Sequence, residues 1–281
     1  MTPYRLTLLI VALALPVFLL ACSDGSGEAD DPVASVQKQR YQSDLKLIAQ
    51  ARPPGSAHWQ KVQDLCAKRF KEYGFTTSLH KDASGVNVIG TLAGTKEPAK
   101  QVIVSAHYDS TKGCAGADDN ATGVAGLLEV ARVLAARDHD RTLVVACWDE
   151  EERGLIGSLA YAKEAAKRND QILTAFVFEM IGYKSDVADS QTLPTGFELL
   201  FPAQIKAVKD NKSKGDFIAV IHDTDKGKHN EVAVTEMKRV AAEVGLPFIA
   251  LPVPDMLKVN PVAMDLQRSD HAAFWYNGIP G

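Results

Sequence analysis

The sequence predicts a single α/β domain, in which a mostly parallel, mixed central sheet has helices on both faces. Short apolar segments typical of buried strands alternate with amphipathic segments of helical length, as in QVIVSAHYD, NATGVAGLLEVARVLAA and TLVVACW. This alternation indicates parallel strands joined by crossover helices. The chain has 281 residues, 46% hydrophobic and 23% charged, which is the composition of a globular protein with a sizeable core.

The first half of this pattern is two helices followed by three strands. Amphipathic periodicity predicts helices over residues 33–50 and 57–73, with ARPPGS between them and Gly74 at the end of the second. FTTSLH and VNVIGTLAG have the composition of strands. QVIVSAHYD is a strand whose apolar part is predicted to be buried on both faces.

The second half alternates strands and helices up to the last residue. Strands are predicted at TLVVACW, ILTAFVFEM, FIAVI and FIALPV, and helices at residues 120–136, 155–167, 203–212, 229–244 and in SDHAAFWYNG. Asn120 is the predicted N-cap of the first of these helices. The pattern predicts a further strand after WYNGIPG, so we expect the last strand and helix of the fold to be missing from this sequence.

The N-terminal 35 residues predict export. Residues 1–21 combine one Arg with a long apolar run, as in a secretion signal, and LLAC places Cys22 where bacterial lipoproteins carry their lipid. Residues 22–35 form a polar, acidic tether, and residues 36–281 form the folded domain. The alternatives are an ordinary signal peptide or a retained membrane helix. We expect a lipid-anchored protein in the periplasm, attached to the outer membrane through Cys22.

The overall charge and the cysteines limit the remaining function classes. A formal net charge of -4 gives no reason to expect nucleic-acid binding. Cys66, Cys114 and Cys147 are an odd number for an oxidising compartment, so at least one thiol is unpaired. A Cys114–Cys147 bridge is one arrangement, and the sequence leaves the pairing open.

Polar side chains follow three predicted strands at the point where each strand ends. They are His107 and Asp109 after VIVSA, Asp149 to Glu152 after LVVACW, and Glu179 after LTAFVF. Asp118 and Asp119 lie where the next helix starts. Because ligands of parallel α/β sheets bind at the carboxyl ends of the strands, we expect these groups to converge on one rim.

Such a crowd of carboxylates predicts a bound cation. Neighbouring carboxylates repel and raise one another's pKa values, and a divalent ion removes that cost. Histidine together with carboxylates is a ligand set suited to zinc. Two zinc ions and a nearby carboxylate that binds no metal would form a hydrolytic site. The alternative is a charged rim without metal.

Five blocks in order resemble a known family. AHYDS, GADDNATG, DEEERGLIGS, FEMIGY and SDHAAFWYNGIP are similar to signature segments of the di-zinc aminopeptidases, which include bacterial leucyl aminopeptidase, aminopeptidase Y and glutamate carboxypeptidase. The similarity extends from about RPPGS to the last residue. It implies a zinc-peptidase fold over residues 36–281 and two zinc ions per chain.

The resemblance also implies metal ligands. His107 would bind one zinc, Asp119 would bridge the two ions, and Glu152 would bind the other ion. The remaining ligands would be His271, on the second zinc, and Glu179, where many relatives carry Asp instead.

The catalytic roles are likewise implied by the resemblance. Glu151 would be the general base that takes a proton from zinc-activated water and passes it to the leaving amine. Asp109 would hold His107 through its second ring nitrogen. Tyr183 would help to stabilise the oxyanion. The substrates would be peptides with a free N-terminus, which makes an aminopeptidase the expected activity.

Three alternatives remain open at this stage. A single-zinc glutaminyl-peptide cyclotransferase shares the fold, and an inactive, truncated metal-binding relative would share the motifs. For individual acids the alternatives are structural: Asp118 as a favourable charge at a helix N-terminus, and Asp149 and Glu150 as supporting or exposed groups.

Overall fold

The computed structural model describes residues 31–82, 84–226 and 228–281. The predicted signal peptide and Cys22 lie outside the described residues, so their roles stay predictions. No helix among the described residues is long and apolar enough to cross a membrane.

Helices and strands alternate as the sequence predicts. The helices are α1 (Lys38–Ile48), α2 (Ala57–Glu72), α3 (Gly123–Ala135), α4 (Ile156–Arg168), α5 (Phe197–Leu200), α6 (Pro202–Asp210), α7 (Lys228–Glu243), α8 (Asp255–Lys258) and α9 (His271–Tyr276). The strands are β1 (Thr76–Lys81), β2 (Val86–Leu92), β3 (Glu97–His107), β4 (Arg141–Trp148), β5 (Gln171–Val177), β6 (Ile218–Asp223) and β7 (Phe248–Val253). A π-helical turn (Ala117–Thr122) precedes α3, and 3-10 turns lie at Glu151–Arg153 and Pro261–Gln267.

The main sheet has five strands in the order β1-β2-β4-β3-β5. The pairings of β1 with β2 and of β2 with β4 are antiparallel, whereas β3 runs parallel to both β4 and β5. In this register His107 lies opposite Trp148. The carboxyl ends of β3, β4 and β5 therefore share one edge, which confirms the predicted mixed α/β fold and brings the polar strand ends together.

The strands predicted at FIAVI and FIALPV do not join the main sheet. They form a separate parallel pair, β6 and β7. The last residues of the chain lie between the two sheets: Ala175 N of β5 donates to Pro280 O (3.1 Å), and Asp223 N of β6 donates to Gly281 O (3.0 Å). The edge of β5 is thus bonded to residues 280–281, which leaves β6 without a direct ladder to β5.

Apolar packing on both faces fixes the sheet between its helices. On one face the inward side chains of β3 and β4 pack against α1, α2 and α3, and on the other against α4 and α9. Trp148 is fully buried on the second face, in contact with the rings of Tyr161 and Phe274. Because β3 and β4 are held from both sides, the residues at their ends have little freedom to move.

Local signals define the helix ends that matter for the site. Ser56 Oγ accepts the backbone hydrogen bond of Trp59 (3.1 Å) and caps α2, which ends just before Gly74 at φ +92°. Asn120 lies inside the π-helical turn, yet its Oδ1 accepts from Gly123 N (3.1 Å) at the first residue of α3. The predicted capping contact therefore exists, and the helix begins three residues later than the sequence suggests.

Candidate metal centre

His107 is the centre of the polar cluster at the end of β3. Its side chain is 1% exposed, and its Nε2 lies 3.1 Å from Asp119 Oδ1, 3.3 Å from Glu179 Oε2 and 3.9 Å from Glu151 Oε2. These carboxylates come from three different segments: the π-helical turn, the segment after β5 and the turn after β4. Parallel strand ends thus converge as predicted.

The Nε2 atom of His107 is buried and makes no hydrogen bond within the part of the chain that the structure describes. Burial opposes charging of the ring, but the carboxylates of Asp109, Asp119 and Glu179 outweigh it and raise the pKa of His107 above its usual value. A nitrogen that faces several carboxylates without a hydrogen bond is the donor arrangement that a divalent metal ion satisfies. The residues present therefore fit a metal ion.

Three residues have potential metal-ligand atoms that lie close to one another. His107, Glu151 and Glu179 each offer a ligand atom within 4.8 Å of the other two, and among residues 31–82, 84–226 and 228–281 they are the group that does so. Glu179 Oε2 also accepts from Ser269 Oγ at 2.9 Å. The serine thereby orients this carboxylate, and sequence reasoning did not single it out.

Asp109 connects the two strand ends. Its Oδ1 lies 3.3 Å from His107 Nδ1, while Oδ1 and Oδ2 accept the backbone N–H groups of Glu151 (3.1 Å) and Glu152 (3.3 Å). The side chain is fully buried. One carboxylate therefore fixes the histidine ring and the turn that carries the two glutamates, which is the supporting place that the predicted role requires.

Asp119 lies on the π-helical turn, and the peptide bond between it and Asn120 is cis. The contact with His107, despite partial burial, holds the pKa of Asp119 below its usual value. Its side chain is 45% exposed, so it faces both the histidine and solvent. The neighbouring Asp118 instead accepts from Gly182 N and Thr122 Oγ1, each at 3.0 Å, which gives it a structural role.

Residues 87–223 match the family model of Peptidase family M28, a range that includes His107, Asp119, Glu151 and Glu179. The chain carries a peptidase family M28 domain. The predicted resemblance to the di-zinc aminopeptidases is thus confirmed at the level of the family.

Two curated relatives illustrate the match. An Escherichia coli K12 protein described as uncharacterized protein YfbL is 30% identical over 191 residues, 64% of this chain and 53% of that protein. A probable zinc metalloprotease of Pyricularia oryzae is 30% identical over 172 residues, 57% of this chain and 32% of that protein. The chain spans about half the length of the first relative and about a third of the second.

The fold has solved counterparts. The LapA aminopeptidase of Legionella pneumophila superposes with a TM-score of 0.61 over 89% of this chain and 61% of its own, at 17% sequence identity. This likeness supports the mixed α/β architecture of the M28 domain.

The four consecutive acids after β4 divide into two pairs. Asp149 and Glu150 are buried: Asp149 accepts from Trp59 Nε1 (2.8 Å) and Val86 N (2.8 Å), and Glu150 accepts from Arg153 Nη1 (2.7 Å) and from the Ser84 hydroxyl. They support the turn, and the alternative that they are exposed is wrong. The physical reason is that β4 is buried to its last residue, so the chain leaves it beneath α2 and β2.

Glu151 and Glu152, the second pair, differ in their relation to the candidate metal centre. Burial raises the pKa of Glu151 to about 8, with the charge of His107 opposing the shift and those of Asp270 and Glu179 adding to it. Glu152 accepts from Thr111 N (3.2 Å), and burial followed by repulsion from Asp119 raises its pKa. Glu152 is not part of the three-residue group around His107.

His271 and Tyr183 also lie outside that group. His271 begins α9, where its Nε2 lies 2.7 Å from Leu266 O and its ring packs edge-on against Trp275. Burial lowers the pKa of His271, against the opposing effects of Leu266 O and Glu179. Tyr183 is 77% exposed. The structure thus places His271 near the cluster and Tyr183 in solvent, and their roles stay predictions.

The three cysteines among the described residues are free. Cys66 and Cys147 are buried in the core between α2 and β4, whereas Cys114 is exposed on the loop after β3. The Cys114–Cys147 bridge that the sequence left open is therefore wrong, because the Cys147 thiol is enclosed by the core and Cys114 lies outside it.

Arg52 is a site neighbour that sequence reasoning did not name. It is completely buried and donates from Nε to Tyr108 O (2.7 Å) and from its two Nη groups to Ala115 O (2.8 Å) and Gly116 O (2.9 Å). The available signal was its place in ARPPGS, where the resemblance to the family begins.

Proposed function

We propose that this chain is a zinc-dependent exopeptidase, an aminopeptidase that removes N-terminal residues from peptides with two zinc ions and a glutamate general base. The observation that carries the proposal is the orphaned Nε2 of His107, which three carboxylates from different segments approach within 3.9 Å. Membership in a peptidase family supports hydrolysis of a peptide bond as the reaction.

The side chains could hold two zinc ions, and we expect the two positions to differ in affinity. His107, Glu179 and Asp119 would hold the first, and Asp119, Glu152 and His271 the second. Glu152 and His271 are engaged with the main chain at Thr111 N and Leu266 O. These contacts leave Oε2 of Glu152 and Nδ1 of His271 available to a metal ion. Because both residues lie outside the group of His107, Glu151 and Glu179, a second ion requires more rearrangement than the first, which finds an unpaired nitrogen. His107 and Glu179 both belong to the close three-residue group. Their presence beside Asp119, Glu152 and His271 favours a two-zinc site over the single-zinc site of a cyclotransferase.

Each residue around the metal centre has a separate chemical task. A zinc ion held by these residues would supply Lewis-acid polarisation of the scissile carbonyl and a lower pKa for water. Burial raises the pKa of Glu151 to about 8 in the metal-free chain, which makes this carboxylate a strong base. Where the positive charge of a bound metal keeps it ionised, Glu151 would take a proton from the attacking water and give it to the leaving amine. Asp109 keeps His107 and the backbone of Glu151 in register throughout.

The open rim of the proposed metal centre favours substrates with a free N-terminus. The carboxylates of Asp119 and Glu179 are 45% and 29% exposed, so ions held by them would be accessible to the free α-amino group of a substrate. An amine is a good metal ligand, whereas the amide nitrogen of an internal peptide bond is not. This difference is the physical basis for the proposed exopeptidase preference.

The proposed setting is the periplasmic face of the outer membrane. The secretion-signal pattern and Cys22 support an exported lipoprotein whose acidic tether leads to the domain. Labelling cells with radioactive palmitate should mark the wild-type protein and leave Cys22→Ala unmarked. Equal labelling of the two would overturn the lipid anchor and leave the enzymatic proposal intact.

Zinc analysis combined with a substrate panel tests the enzymatic proposal. The purified chain should hold two zinc ions and release p-nitroaniline from aminoacyl-p-nitroanilides, and a chelator should abolish the activity until zinc is restored. N-acetylated versions of the same substrates are the control and should be inert. One zinc together with cyclisation of N-terminal glutamine would identify a cyclotransferase instead, and no chelator-sensitive activity on either class would overturn the proposal.

A further inference from the structure

Arg52 occupies an unusual environment for a charged side chain. Arg52 is 0% exposed, and among the described residues its guanidinium forms hydrogen bonds and no ion pair with a carboxylate. All its partners are main-chain carbonyls, namely Tyr108, Ala115 and Gly116 with longer contacts to Gln50 (3.2 Å) and Ile48 (3.4 Å). Burying a cation without a counter-ion is costly, so another benefit must offset the cost.

The carbonyls that Arg52 binds most closely belong to the loop between the proposed ligands His107 and Asp119. Tyr108 directly follows His107, and Gly116 precedes Asp119 by three residues. Residues 111–115 of this loop are exposed, but both ends are buried against the guanidinium. The planar fork of arginine is able to reach diverging carbonyls at once, which a single ammonium group does not reproduce.

Further contacts tighten the same loop. Ser110 Oγ accepts from Arg52 N (3.0 Å), and Ser110 N donates to Arg52 O (3.3 Å). Gly116 has φ +54°, and a Cβ there would lie 2.9 Å from Arg52 Nη1 and 2.5 Å from Asp119 O. The loop also supplies Thr111 N, which donates to Glu152. Arg52 thus holds the loop backbone that follows His107, precedes Asp119 and donates a hydrogen bond to Glu152.

The positive charge of Arg52 also acts on the carboxylates near the loop, namely Asp109, Asp119 and Glu152. Burial lowers its pKa to about 10, and the charges of Asp109, Asp119 and Glu152 work against that shift. The side chain therefore stays protonated at neutral pH and offsets part of the repulsion among these acids.

We propose that Arg52 is the positioning residue of the metal centre, which ties the two ends of the loop of residues 108–116 together and so holds His107, Asp119 and Glu152 at metal-binding spacing. The inference rests on the proposed metal site but not on the peptidase reaction. It makes Arg52 a determinant of metal affinity although it touches no metal ligand side chain.

Metal binding by variants of the full chain tests this inference. Arg52→Lys and Arg52→Gln should both weaken zinc binding by about ten- to a hundredfold, as loss of a supporting contact outside the ligand set does. The cobalt-loaded Arg52→Lys protein should also show a shifted visible absorption band, because the ligand geometry changes. A fold that is merely less stable would bind less cobalt with an unshifted band.

Arg132 provides the matched control. It is partly buried on α3 and pairs with Glu129. Its Nη2 donates to Ser35 O (2.6 Å), so this arginine, like Arg52, holds a main-chain carbonyl outside its own helix. Arg132→Lys and Arg132→Gln should leave zinc affinity and the cobalt spectrum unchanged. Wild-type affinity in Arg52→Lys, or tighter binding in Arg52→Gln, would overturn the positioning role, because charge alone would then explain the residue.

Ser110→Ala keeps the test decisive if the Arg52 variants do not fold. It removes one hydrogen bond of the same anchor and should weaken zinc binding about threefold. Unchanged affinity in Ser110→Ala would contradict the inference. A wild-type chain that binds no divalent metal would contradict both the inference and the proposed function, whereas metal binding without hydrolysis would contradict the proposed function alone.

Discussion

The two halves of the proposed metal centre differ in how closely their ligands already lie together. In the first half, around His107, a buried nitrogen without a hydrogen bond faces Asp119, Glu151 and Glu179. In the second half, Glu152 and His271 lie outside that group, and each makes a hydrogen bond to the main chain. His107 ends β3, which is packed on both faces, whereas Glu152 lies on a 3-10 turn and His271 begins α9. We therefore expect the first half to bind metal tightly and the second more weakly.

The largest expected effect is a loss of turnover on substitution of Glu151, which its neighbour Glu152 should not share in the same form. Glu151→Gln should lower kcat by about a thousandfold, because a general base contributes roughly a hundred- to ten-thousandfold, while zinc content stays unchanged. Glu152→Gln is the matched variant one residue away and should lose affinity for one zinc. Steady-state kinetics and metal analysis on both proteins check the pair. The reverse pattern would mean that the roles are displaced by one residue.

The next largest effect compares the two histidines directly. His107→Asn should weaken the tighter zinc site by about a hundredfold, since it removes the central ligand. His271→Asn should leave that site unchanged and weaken the second. Isothermal titration of the metal-free proteins measures both sites. Equal losses at both sites in both variants would show that the halves are one coupled site.

The metal-free protein should lose stability as the pH rises. Burial raises the folded-state pKa of Glu151 from 4.5 to about 8 and that of Asp270 from 3.8 to about 7, with His107 opposing both shifts. The folded state thus binds more protons than the unfolded state between these values. The contribution is complete below pH about 4 and is lost as the pH rises through 7 to 8.

We expect the free energy of unfolding of the metal-free chain to be lower at pH 8 than at pH 5 by on the order of 2 kcal/mol. Urea denaturation at the two pH values measures this difference. Glu151→Gln should reduce it, and zinc should abolish it by neutralising the carboxylates. A metal-free chain that is more stable at pH 8 would contradict the assigned crowding of acids around His107.

The smallest effect concerns the serine that orients Glu179. Ser269→Ala removes one hydrogen bond to Oε2 and should weaken the tighter zinc site about threefold. Competition with a chromogenic chelator resolves a change of this size. Ser190→Ala, at a serine that donates no contact to the cluster and accepts from Gly215 N (3.1 Å), is the control and should bind zinc like wild type. Unchanged affinity in Ser269→Ala would remove Ser269 from the site.

Much of this organisation follows from the sequence because strand ends are local signals. The apolar runs of β3, β4 and β5 predict the sheet, and the polar residues directly after them predict its functional edge. The capping role of Asn120 is visible for the same reason. What these features share is that residues close in the chain determine them.

Features that depend on distant contacts were not predictable in the same way. The separation of β6 and β7 from the main sheet depends on residues 280–281, and the burial of Asp149 depends on Trp59 and Val86. Arg52 and Ser269 act on segments more than fifty residues away in the chain. No pattern within one helix or strand encodes such contacts.

Equilibrium dialysis of the metal-free chain against zinc, with hydrolysis of an aminoacyl-p-nitroanilide followed in the same samples, shows whether the chain binds two zinc ions and needs them for activity. We predict that wild type binds two zinc ions, the first more tightly, that activity appears with zinc, and that His107→Asn loses the tighter ion and the activity. A wild-type chain that binds no zinc, or a His107→Asn variant that binds it as tightly as wild type, would contradict the account.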